Sequence, residues 1–433
     1  MAKKLRGIFY GWWILAASFV LYFLSGGTVS YGFAAFFTPI NTEMGWSRGE
    51  TSFGFSLRSV EGGVVQPLVG FVIERFGLRK CIVSGIVVTG IAFLLMSWTS
   101  SLLTFYVSVF ALAMGSTLGM GIAEQVAIAN WFRRRRSFCM GILTTGTGLS
   151  GVMTPVMVYL IHAYGWRQSL VILSPLVLVV GLPLSLMIRP RPEPYGYLPD
   201  GDKAEDPVGS PASTTAIQSH SIVSTGDGLT VRECLRTRTF WLLTISYAFT
   251  AFAAQTIQVH AIPFLTDIGV SEDTAALTIT GITIISLVGR LGFSWLGDIY
   301  DKKRIIIISF AMETAGAFLF ANIRSPWMII PFLLLYSPGF GAPIPLIPAM
   351  QADCFGTKSF ASIRGLMNLG YAVPAVVGPF LAGWLYDILG SYYLAFTLFA
   401  ILCGLAIPVV MLAKTTPART AVPREAGTGH RLE

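Results

Sequence analysis

One basic side chain stands deep inside a long apolar stretch of this sequence. Arg290 lies past the middle of the apolar segment 274–297, and no acid lies within one helical turn of it. A guanidinium in such surroundings is costly unless it faces a polar cavity or an anion. Its planar fork matches a carboxylate through two parallel hydrogen bonds. We therefore predict that Arg290 contacts an anionic substrate; a fixed ion pair with another helix is the alternative.

A second group of charges lies in the first half of the chain. Arg58 and Glu61 are three residues apart, so they share one face of a helix, and Glu124 lies in another apolar segment. One interpretation is a satisfied network that fixes helix packing, with Arg58 as its salt-bridging and gating residue. The other is a buried carboxyl that carries a proton, because burial disfavours the charged form. Glu61 and Glu124 are therefore candidates for proton coupling.

A histidine is a third candidate for proton coupling. His260 lies near one end of the apolar segment 239–266. Histidine binds and releases protons between about pH 5 and 8, so it can couple a proton to a transport step. A hydrogen-bonded histidine at a helix interface is the alternative interpretation.

Several classes of chemistry find no support in the sequence. The five cysteines and four histidines show no spacing typical of a metal site. No nucleophile elbow, Walker motif or dinucleotide-binding fingerprint is present. We therefore expect no metal, no cofactor and no enzymatic activity.

Aromatic and amide side chains are placed where they could line a path for a small molecule. Tyr336 and Phe340 are four residues apart on one helical face, in a stretch that several prolines would bend. Asn368 and Tyr371 lie one turn apart in a later apolar segment, and Tyr31 lies in the first. A hydroxyl or amide beside a carboxylate-binding arginine would orient a small acid. We predict substrate contacts for these five residues, with packing as the alternative.

The elements that must position these residues are long apolar helices. Hydrophobic residues make up 54% of the 433 residues, charged residues only 12%, and the mean hydropathy is +0.67. That composition excludes an ordinary soluble enzyme and a disordered chain. About 20 apolar residues in a helix cross about 30 Å of hydrocarbon. We predict twelve membrane-spanning segments, at 10–37, 50–73, 81–99, 103–130, 138–162, 168–188, 239–266, 274–297, 305–323, 327–352, 361–386 and 392–412.

The distribution of basic residues predicts the orientation of these segments. With both termini in the cytoplasm, the inside loops and tails hold 25 of the 30 lysines and arginines. The outside loops hold three, Arg48, Arg167 and Arg324. Such asymmetry is typical of membrane topology, so the net charge of +8 does not indicate nucleic-acid binding. We predict a multi-pass protein of the cell inner (plasma) membrane, and no pattern indicates its oligomeric state.

The chain divides into two halves around a polar stretch. Residues 189–238 are rich in proline, glycine, serine and acids, which indicates a solvated cytoplasmic loop. Six apolar segments precede it and six follow, a plan typical of transporters built from two repeats. We therefore predict an all-α membrane protein with an N-terminal six-helix half at 1–188, a C-terminal six-helix half at 239–412 and a cytoplasmic tail at 413–433.

A short repeat at corresponding positions of the two halves supports this division. Glu74 follows the second apolar segment and precedes Arg75 and Arg79, whereas Asp298 follows the eighth and precedes Lys302. An acid at a helix end beside a basic cluster can form an ion pair that breaks when helices move. We predict that these residues form gating salt bridges; a plain turn with topogenic basic residues is the alternative.

Several segments of the sequence resemble a known family of transporters. Residues 70–80 resemble the signature between the second and third helices of the major facilitator superfamily, with Glu74 in place of the usual Asp. Residues 131–146 and 10–13 are similar to signatures of its branch of monocarboxylate porters and oxalate–formate exchangers. The resemblance implies two pseudo-symmetric six-helix halves around a central cavity. It also implies that Arg290 is the arginine that binds the substrate carboxylate.

The resemblance further implies a function. It indicates secondary active transport of a small monocarboxylate, such as lactate or pyruvate, by proton symport and alternating access. Two departures concern the proton, because Ser286 stands where this branch has an acid and Tyr31 stands near the position of its lysine. The alternatives are an oxalate–formate type organic anion exchanger, a proton-coupled drug exporter and a receptor that binds solute without moving it. The expected partners are a small organic acid, protons and the lipid bilayer.

Overall fold

Helices account for the regular secondary structure of the chain wherever it is described. The computed structural model describes residues 9–202 and 228–414. Parts of the predicted central loop and tail, at 203–227 and 415–433, lie outside the described residues. The side chains at 55–64, which include two of the predicted charged residues, also lie outside the description.

The helices follow the predicted division into two halves. The first half contains α1 (Gly11–Ser25), α2 (Phe37–Met44), α3 (Arg48–Phe76), α4 (Leu78–Ser97), α5 (Leu102–Gly119), α6 (Ile122–Trp131), α7 (Arg136–Leu149) and α8 (Met153–Met187). The second half contains α9 (Val231–Leu235), α10 (Arg238–Asp267), α11 (Glu272–Ile299), α12 (Lys302–Ala321), α13 (Ile329–Gly341), α14 (Pro343–Phe355), α15 (Phe360–Leu389) and α16 (Tyr393–Leu412). Each predicted apolar segment coincides with one or two of these helices.

The helices are long and apolar enough for a membrane protein. Ten helical stretches in the described part of the chain could cross a membrane by length and composition. The longest, Arg136–Met187, has 52 residues and contains two predicted segments, because α8 breaks at Gly165, where φ is +80°. The 29 residues of α3 are also long enough to cross, although α3 is not among the ten. The structure thus confirms the predicted all-α membrane fold.

Four of the predicted segments are interrupted helices, and one of them, the fifth, passes from α7 to α8 through a 3-10 turn at Ser150–Val152. The first leaves α1 through a π-helical turn at Gly26–Ser30 and a 3-10 turn at Gly32–Phe36 before α2 begins. The fourth is divided at Gly121, and the tenth directly before Pro343. Glycine tolerates non-helical backbone and proline lacks an N–H group, so a helix bends readily at such residues. In transporters, interrupted helices of this kind surround the binding site.

Glycines allow the helices of the first half to pack very closely. A Cβ atom added at Gly119 of α5 would lie 2.6 Å from the main-chain nitrogen of Ile86 in α4. One added at Gly115 would lie 2.6 Å from the main-chain nitrogen of Thr89. Small residues at such positions let two backbones approach each other, which is how membrane helices gain packing energy without a hydrophobic driving force.

The two halves meet at one end of the bundle. We call it the basic end, because the basic clusters that follow Glu74 and Asp298 in the sequence belong to it. It is defined by Glu74, Arg136 and Asp298. Here α3 packs against α15, and α7 packs against α11 and α14. Among the described residues, side-chain hydrogen bonds join the halves at the basic end and, further along the bundle, at Arg290 and Asn368. The structure is therefore closed at the basic end.

Main chains meet directly at this contact. A Cβ atom added at Gly70 of α3 would lie 2.5 Å from a carbonyl oxygen of α15, and one at Gly365 of α15 would lie 2.5 Å from a carbonyl oxygen of α3. A Cβ atom at Gly141 of α7 would lie 2.6 Å from a carbonyl oxygen of α11. These glycines allow the halves to approach to backbone distance.

We predict that Gly119→Ala destabilises the protein, because the added methyl group would overlap the main chain of α4. Overpacking of this kind costs about 1–3 kcal/mol. The matched control is Gly292→Ala in α11, where an added Cβ atom would have no described atom within 4 Å. Thermal unfolding of the purified protein in detergent measures both variants. Equal midpoints for Gly119→Ala and wild type would contradict the described packing of α4 and α5.

Candidate functional site

Arg290 lies at the contact between the two halves. Its side chain is 7% exposed, and its Nη1 donates a hydrogen bond of 2.6 Å to the main-chain oxygen of Thr144 in α7. Gly148 leaves room for the guanidinium, because a Cβ atom there would lie 3.2 Å from Nη1. Among the described residues, Arg290 has no ion-pair partner and its Nε has no acceptor. The positive charge is thus buried without a described acid to balance it.

Phenol groups from both halves lie near this guanidinium. Tyr31 of the first half and Tyr247 of α10 interact electrostatically with Arg290. Tyr31 directly follows the π-helical turn and is 40% exposed, so a solute can reach it. Tyr247 is buried and stacks on Tyr371, with 4.5 Å between the ring centroids, and Gln255 donates a hydrogen bond of 3.2 Å to the Tyr371 hydroxyl. Polar groups from both halves therefore flank Arg290.

A polar cavity of about 260 Å³ lies between the halves. Its lining residues come from both halves and are Tyr22, Ser25, Val29, Ser30, Gln66, Ser116, Thr117, Met120, Gly121, Ile122, Gln125 and Asn368. Asn368 donates a hydrogen bond to the side-chain oxygen of Gln66 across the contact. The Tyr22 hydroxyl accepts from Gln125 at 2.9 Å and donates to the main-chain oxygen of Gly121 at 2.7 Å. Since one water occupies about 30 Å³ in the liquid, the cavity has room for a small polar solute.

The predicted substrate residues of the second half fall into two spaces. Asn368 lines the cavity of about 260 Å³, whereas Tyr371, one turn along α15, borders a separate space together with Phe340. Tyr336 and Phe340 stack as their spacing predicts, with ring centroids 5.9 Å apart and 4° between the planes. Tyr336 is 1% exposed, and its hydroxyl has no partner among the described residues. Asn368 thus lies at the contact between the halves, while Tyr336 lies in the core of the second half.

A second buried arginine, Arg364, was not a candidate from the sequence. It lies one turn inside the start of α15, is 4% exposed, and its Nε and Nη1 have no acceptor among the described residues. Its guanidinium carbon lies 5.9 Å from the centre of the Tyr247 ring, and it interacts electrostatically with Tyr22. Its position near the start of the eleventh predicted segment is typical of a solvated side chain, so this position alone does not indicate its burial. The sequence feature that indicates burial of Arg364 is its spacing from Asn368, which lies four residues later and therefore on the same face of the helix.

Glu124, one of the predicted proton carriers, is fully buried in the first turn of α6. No basic side chain among the described residues pairs with it, although the N-terminus of a helix favours a negative charge. It interacts electrostatically with Tyr22, which lines the polar cavity. Arg58 and Glu61 lie in α3, but their side chains are outside the description. The predicted charge cluster therefore stays a prediction.

His260, another predicted proton carrier, is hydrogen-bonded on both sides of its ring. Its Nδ1 lies 3.2 Å from the Tyr392 hydroxyl, and its Nε2 lies 2.9 Å from the carbonyl oxygen of Pro379. A carbonyl oxygen only accepts, so Nε2 carries a hydrogen and the neutral ring accepts from the phenol at Nδ1. A proton added to Nδ1 would have to reverse the bond with Tyr392. The contacts are those of a histidine at a helix interface, the alternative interpretation.

The two acids of the sequence repeat connect the halves. Glu74 accepts a hydrogen bond of 3.0 Å from the main-chain N–H of Ser362, in the first turn of α15. Asp298 accepts hydrogen bonds of 2.9 Å and 2.8 Å from the main-chain N–H groups of Ser137 and Phe138, in the first turn of α7. Each acid therefore binds the N-terminus of a helix in the opposite half, where the helix dipole favours a negative charge.

The basic residues of the repeat contact other groups. Lys302 pairs with Asp353 at 2.7 Å, and Arg136 of the other half pairs with the same carboxylate. Arg79 donates a hydrogen bond of 2.9 Å to a main-chain oxygen of α8, and Arg75 lies over the ring of its neighbour, 5.9 Å from the centroid. Among the described residues, the ion pair between the halves is that of Arg136 with Asp353, which also binds Lys302, and the gating role of the repeat stays a prediction.

The chain is similar to proteins of known classes along nearly its whole length. A family model described as the Major Facilitator Superfamily matches residues 15–264 and 243–432. Monocarboxylate transporter 12 of Rattus norvegicus is 28% identical over 417 residues, which are 92% of this chain and 83% of that relative. Monocarboxylate transporter 13 of Bos taurus is 25% identical over 391 residues, covering 89% and 85%. The E. coli fucose:proton symporter in the outward conformation shares the fold, with a TM-score of 0.71, 14% identity and coverage of 93% and 99%.

We predict that the double variant Glu74→Gln with Asp298→Asn opens the basic end, because both charge–helix contacts between the halves are lost. A charge at a helix end contributes about 0.3–1 kcal/mol, and up to about 2 kcal/mol when partly buried. The measurement is the rate at which a water-soluble maleimide labels Ala352→Cys, which is 4% exposed in the closed contact, after the native cysteines are replaced. The double variant should be labelled about tenfold faster.

The matched control for this experiment neutralises two acids that are away from the contact. Glu272 and Asp273 are exposed in the first turn of α11, at the opposite end of that helix from Asp298. Glu272→Gln with Asp273→Asn should leave labelling of Ala352→Cys unchanged. Equal labelling in both double variants would mean that the two carboxylates do not hold the basic end closed.

Proposed function

The chain belongs to the Major Facilitator Superfamily, and from that premise we propose that this transporter carries a small monocarboxylate, such as lactate or pyruvate, together with a proton. The observation that carries the proposal is Arg290, a buried guanidinium at the contact between the halves without a described acid partner. An anion that binds and leaves would balance a charge that the protein itself leaves unbalanced. The relatives named monocarboxylate transporters support the same substrate class.

The surroundings of Arg290 support a substrate with one anionic end. Nη1 of Arg290 already donates a hydrogen bond to the main-chain oxygen of Thr144. A carboxylate would therefore bind the remaining N–H donors of the guanidinium. Tyr31 faces the same guanidinium from the first half, so a bound anion would contact both halves. Asn368 lines the polar cavity of about 260 Å³ and would orient a polar substituent of an acid that extends into it.

The contacts between the halves support alternating access, in which the halves 1–188 and 239–412 rock about the central site. We assign the basic end to the cytoplasm, because an excess of lysine and arginine marks cytoplasmic loops. Both termini would then be cytoplasmic, in the plasma membrane. The hydrogen bond from Arg290 to Thr144 crosses between the halves, so it must break when the basic end opens. A carboxylate on Arg290 would weaken this bond and thereby link substrate binding to opening.

A proton would make each transport step electroneutral, because one anion and one proton carry no net charge together. The sequence candidates for the proton are Glu61, Glu124 and His260. Of the two whose side chains are described, Glu124 is buried without a described basic partner, whereas both nitrogens of His260 are hydrogen-bonded. This contrast favours a carboxyl over the imidazole as the proton carrier.

One observation favours a second candidate function, organic anion exchange of the oxalate–formate type. Arg364 provides a second buried guanidinium without described acceptors for its Nε and Nη1. Two such arginines, Arg290 and Arg364, suit an acid with two carboxylates better than an acid with one. Counterflow in proteoliposomes against a panel of labelled mono- and dicarboxylates decides between the two functions. Exchange of dicarboxylates without a response to pH would favour the exchanger.

We predict that Arg290→Lys strongly reduces binding and transport of lactate and pyruvate, because lysine keeps the charge and loses the planar fork. Arg290→Ala should lower affinity by about 10- to 100-fold, since a hydrogen bond to a charged group is worth about 1.5–3 kcal/mol. Both variants should fold, because Arg290 forms no ion pair with a described acid, so neither substitution breaks one. Binding to the purified, monodisperse protein measures the effect.

The control for Arg290 is Arg324→Ala, which removes an exposed arginine from a loop between α12 and α13. It should bind both acids as wild type does. Affinity of Arg290→Ala within a few-fold of wild type would refute the assignment of Arg290 and turn attention to Arg58 and Arg364.

If one of the sequence candidates carries the proton, Glu124→Gln should reduce accumulation driven by a pH gradient more than His260→Gln does, while both variants retain counterflow exchange. The reason is that glutamine at position 124 removes a buried acid, whereas His260 is already fully hydrogen-bonded. Uptake of labelled lactate into proteoliposomes, with and without an imposed pH gradient, measures both. Normal accumulation by both variants would mean that neither residue carries the proton.

A further inference from the structure

A carboxyl in the core of the second half has no part in the contacts described above. Glu313 lies in α12, which packs mainly against α13 and α16. Its side chain is 1% exposed, with neither an ion-pair partner nor a hydrogen-bond donor among the described residues. Its backbone is held firmly, because a Cβ atom at Gly339 of α13 would lie 2.5 Å from the Glu313 nitrogen. An acid buried this way within a membrane-spanning helix needs an explanation.

Glu313 borders a small enclosed space. Its volume is about 10 Å³, and its other walls include Tyr247 and Thr250 of α10, Phe340 of α13 and Tyr371 of α15. A space of about this size holds one water when polar groups surround it. The tenth predicted segment is interrupted at this wall, between α13 and α14, where the chain is free to bend. The carboxyl therefore faces a polar space that a helix movement can open.

The titratable groups that face Glu313 are three phenols and a thiol. They come from the elements packed around it and are Tyr247 of α10, Tyr336 of α13, Tyr371 of α15 and Cys403 of α16. Within the described ranges, no lysine, arginine or histidine faces this carboxyl. Without a cation, burial disfavours the charged carboxylate and favours the protonated acid. Ionisation of Glu313 therefore requires that water or packing changes around it.

Tyr247 connects this acid to the substrate arginine. It interacts electrostatically with Glu313, Arg290 and Arg364, and its ring stacks on Tyr371. A charge on Glu313 and an anion on Arg290 therefore act on the same residue from two sides. Two negative charges in one low-dielectric region repel each other, so an anion on Arg290 favours a proton on Glu313. By linkage, a proton on Glu313 must favour the anion on Arg290 to the same extent.

We propose that Glu313 binds the proton that is transported with the carboxylate on Arg290; this rests on the proposed function. A carboxylate anion binds Arg290, and a proton from the same side binds the ionised Glu313 to give the neutral acid. The halves rock, the anion leaves to the other side, and Glu313 then releases its proton to that side. One anion and one proton move together, and no net charge crosses. The site lies in the half that contains Arg290, whereas Glu124 lies in the other half.

The first test is Glu313→Gln, which keeps the shape of the side chain and mimics the protonated acid. In proteoliposomes, wild type should accumulate labelled lactate or pyruvate up to about tenfold per unit of pH gradient, because one unit corresponds to about 1.4 kcal/mol. Glu313→Gln should lose accumulation above equilibrium and keep counterflow exchange of the same acids. Accumulation by Glu313→Gln at the wild-type level would overturn the proposal.

The second test measures proton uptake on binding, which a structural role alone would not change. Purified protein is mixed with lactate or pyruvate in weak buffer containing a pH indicator. At a pH at which Glu313 is ionised in the free protein, wild type should take up about one proton for each acid bound. Glu313→Gln should bind the acid and take up none, while Glu313→Asp should take up protons with a shifted pH midpoint. If Glu313→Gln is not monodisperse, an unshifted midpoint in Glu313→Asp overturns the proposal on its own.

Further comparisons distinguish a role of Glu313 from the effect of removing any acid, from a role of Glu124 and from failure of the proposed function. Glu272→Gln, at an exposed acid of α11, should behave as wild type in both tests. Loss of proton uptake in Glu124→Gln together with normal uptake in Glu313→Gln would place the proton in the other half and overturn the assignment. Failure of wild type to exchange either acid would overturn the proposed function and this inference together, whereas failure of the Glu313 variants alone to behave as expected overturns only the inference.

Discussion

The closed basic end depends on a reciprocal contact in which a carboxylate of each half binds the start of a helix in the other. Glu74 accepts from Ser362 at the start of α15, and Asp298 accepts from Ser137 and Phe138 at the start of α7. The first N–H groups of a helix have no partner inside the helix, and the dipole adds to their attraction for an anion. Because these donors belong to the main chain, no rotation of a side chain can keep the bonds once the halves separate. The Asp298 contact holds the position of α7 against α11, and therefore the position of Thr144 against Arg290, while the Glu74 contact holds α3 against α15.

The charges around Arg290 belong to one half. Arg290, Arg364 and Glu313 are buried in the second half, whereas the first half contributes Thr144 and Tyr31, a main-chain oxygen and a phenol, to the surroundings of Arg290. The first half has its own buried charges among the described residues, Glu124 and Arg136, and Arg136 pairs with Asp353 at the basic end. The three charged groups of the second half keep their mutual distances when the halves move, because they belong to one body. Opening of the basic end therefore separates Arg136 from Asp353 but leaves the group around Arg290 intact.

Much of the fold follows from the sequence because apolar length and basic-residue counts are local signals. The twelve segments and the glycine and proline interruptions are visible in the chain itself, and so is the isolation of Arg290 from acids on its own helix. The burial of Arg364 and the partner of Asp353 are not visible, since both depend on how one half docks on the other. The burial of Glu313 is not visible either, because it depends on which face of α12 packs against α13 and α16.

The glycines at the contact between the halves have a consequence for the free energy of switching. Where Gly70, Gly141 and Gly365 bring main chains together, separation uncovers carbonyl groups that water can solvate, and the glycines themselves add no apolar side chain. Exposure of apolar surface costs about 25 cal/mol for each Å², so each contact made through a glycine lowers the hydrophobic penalty of opening. The two access states can therefore be close in free energy, and the binding of one small anion suffices to change which of them prevails.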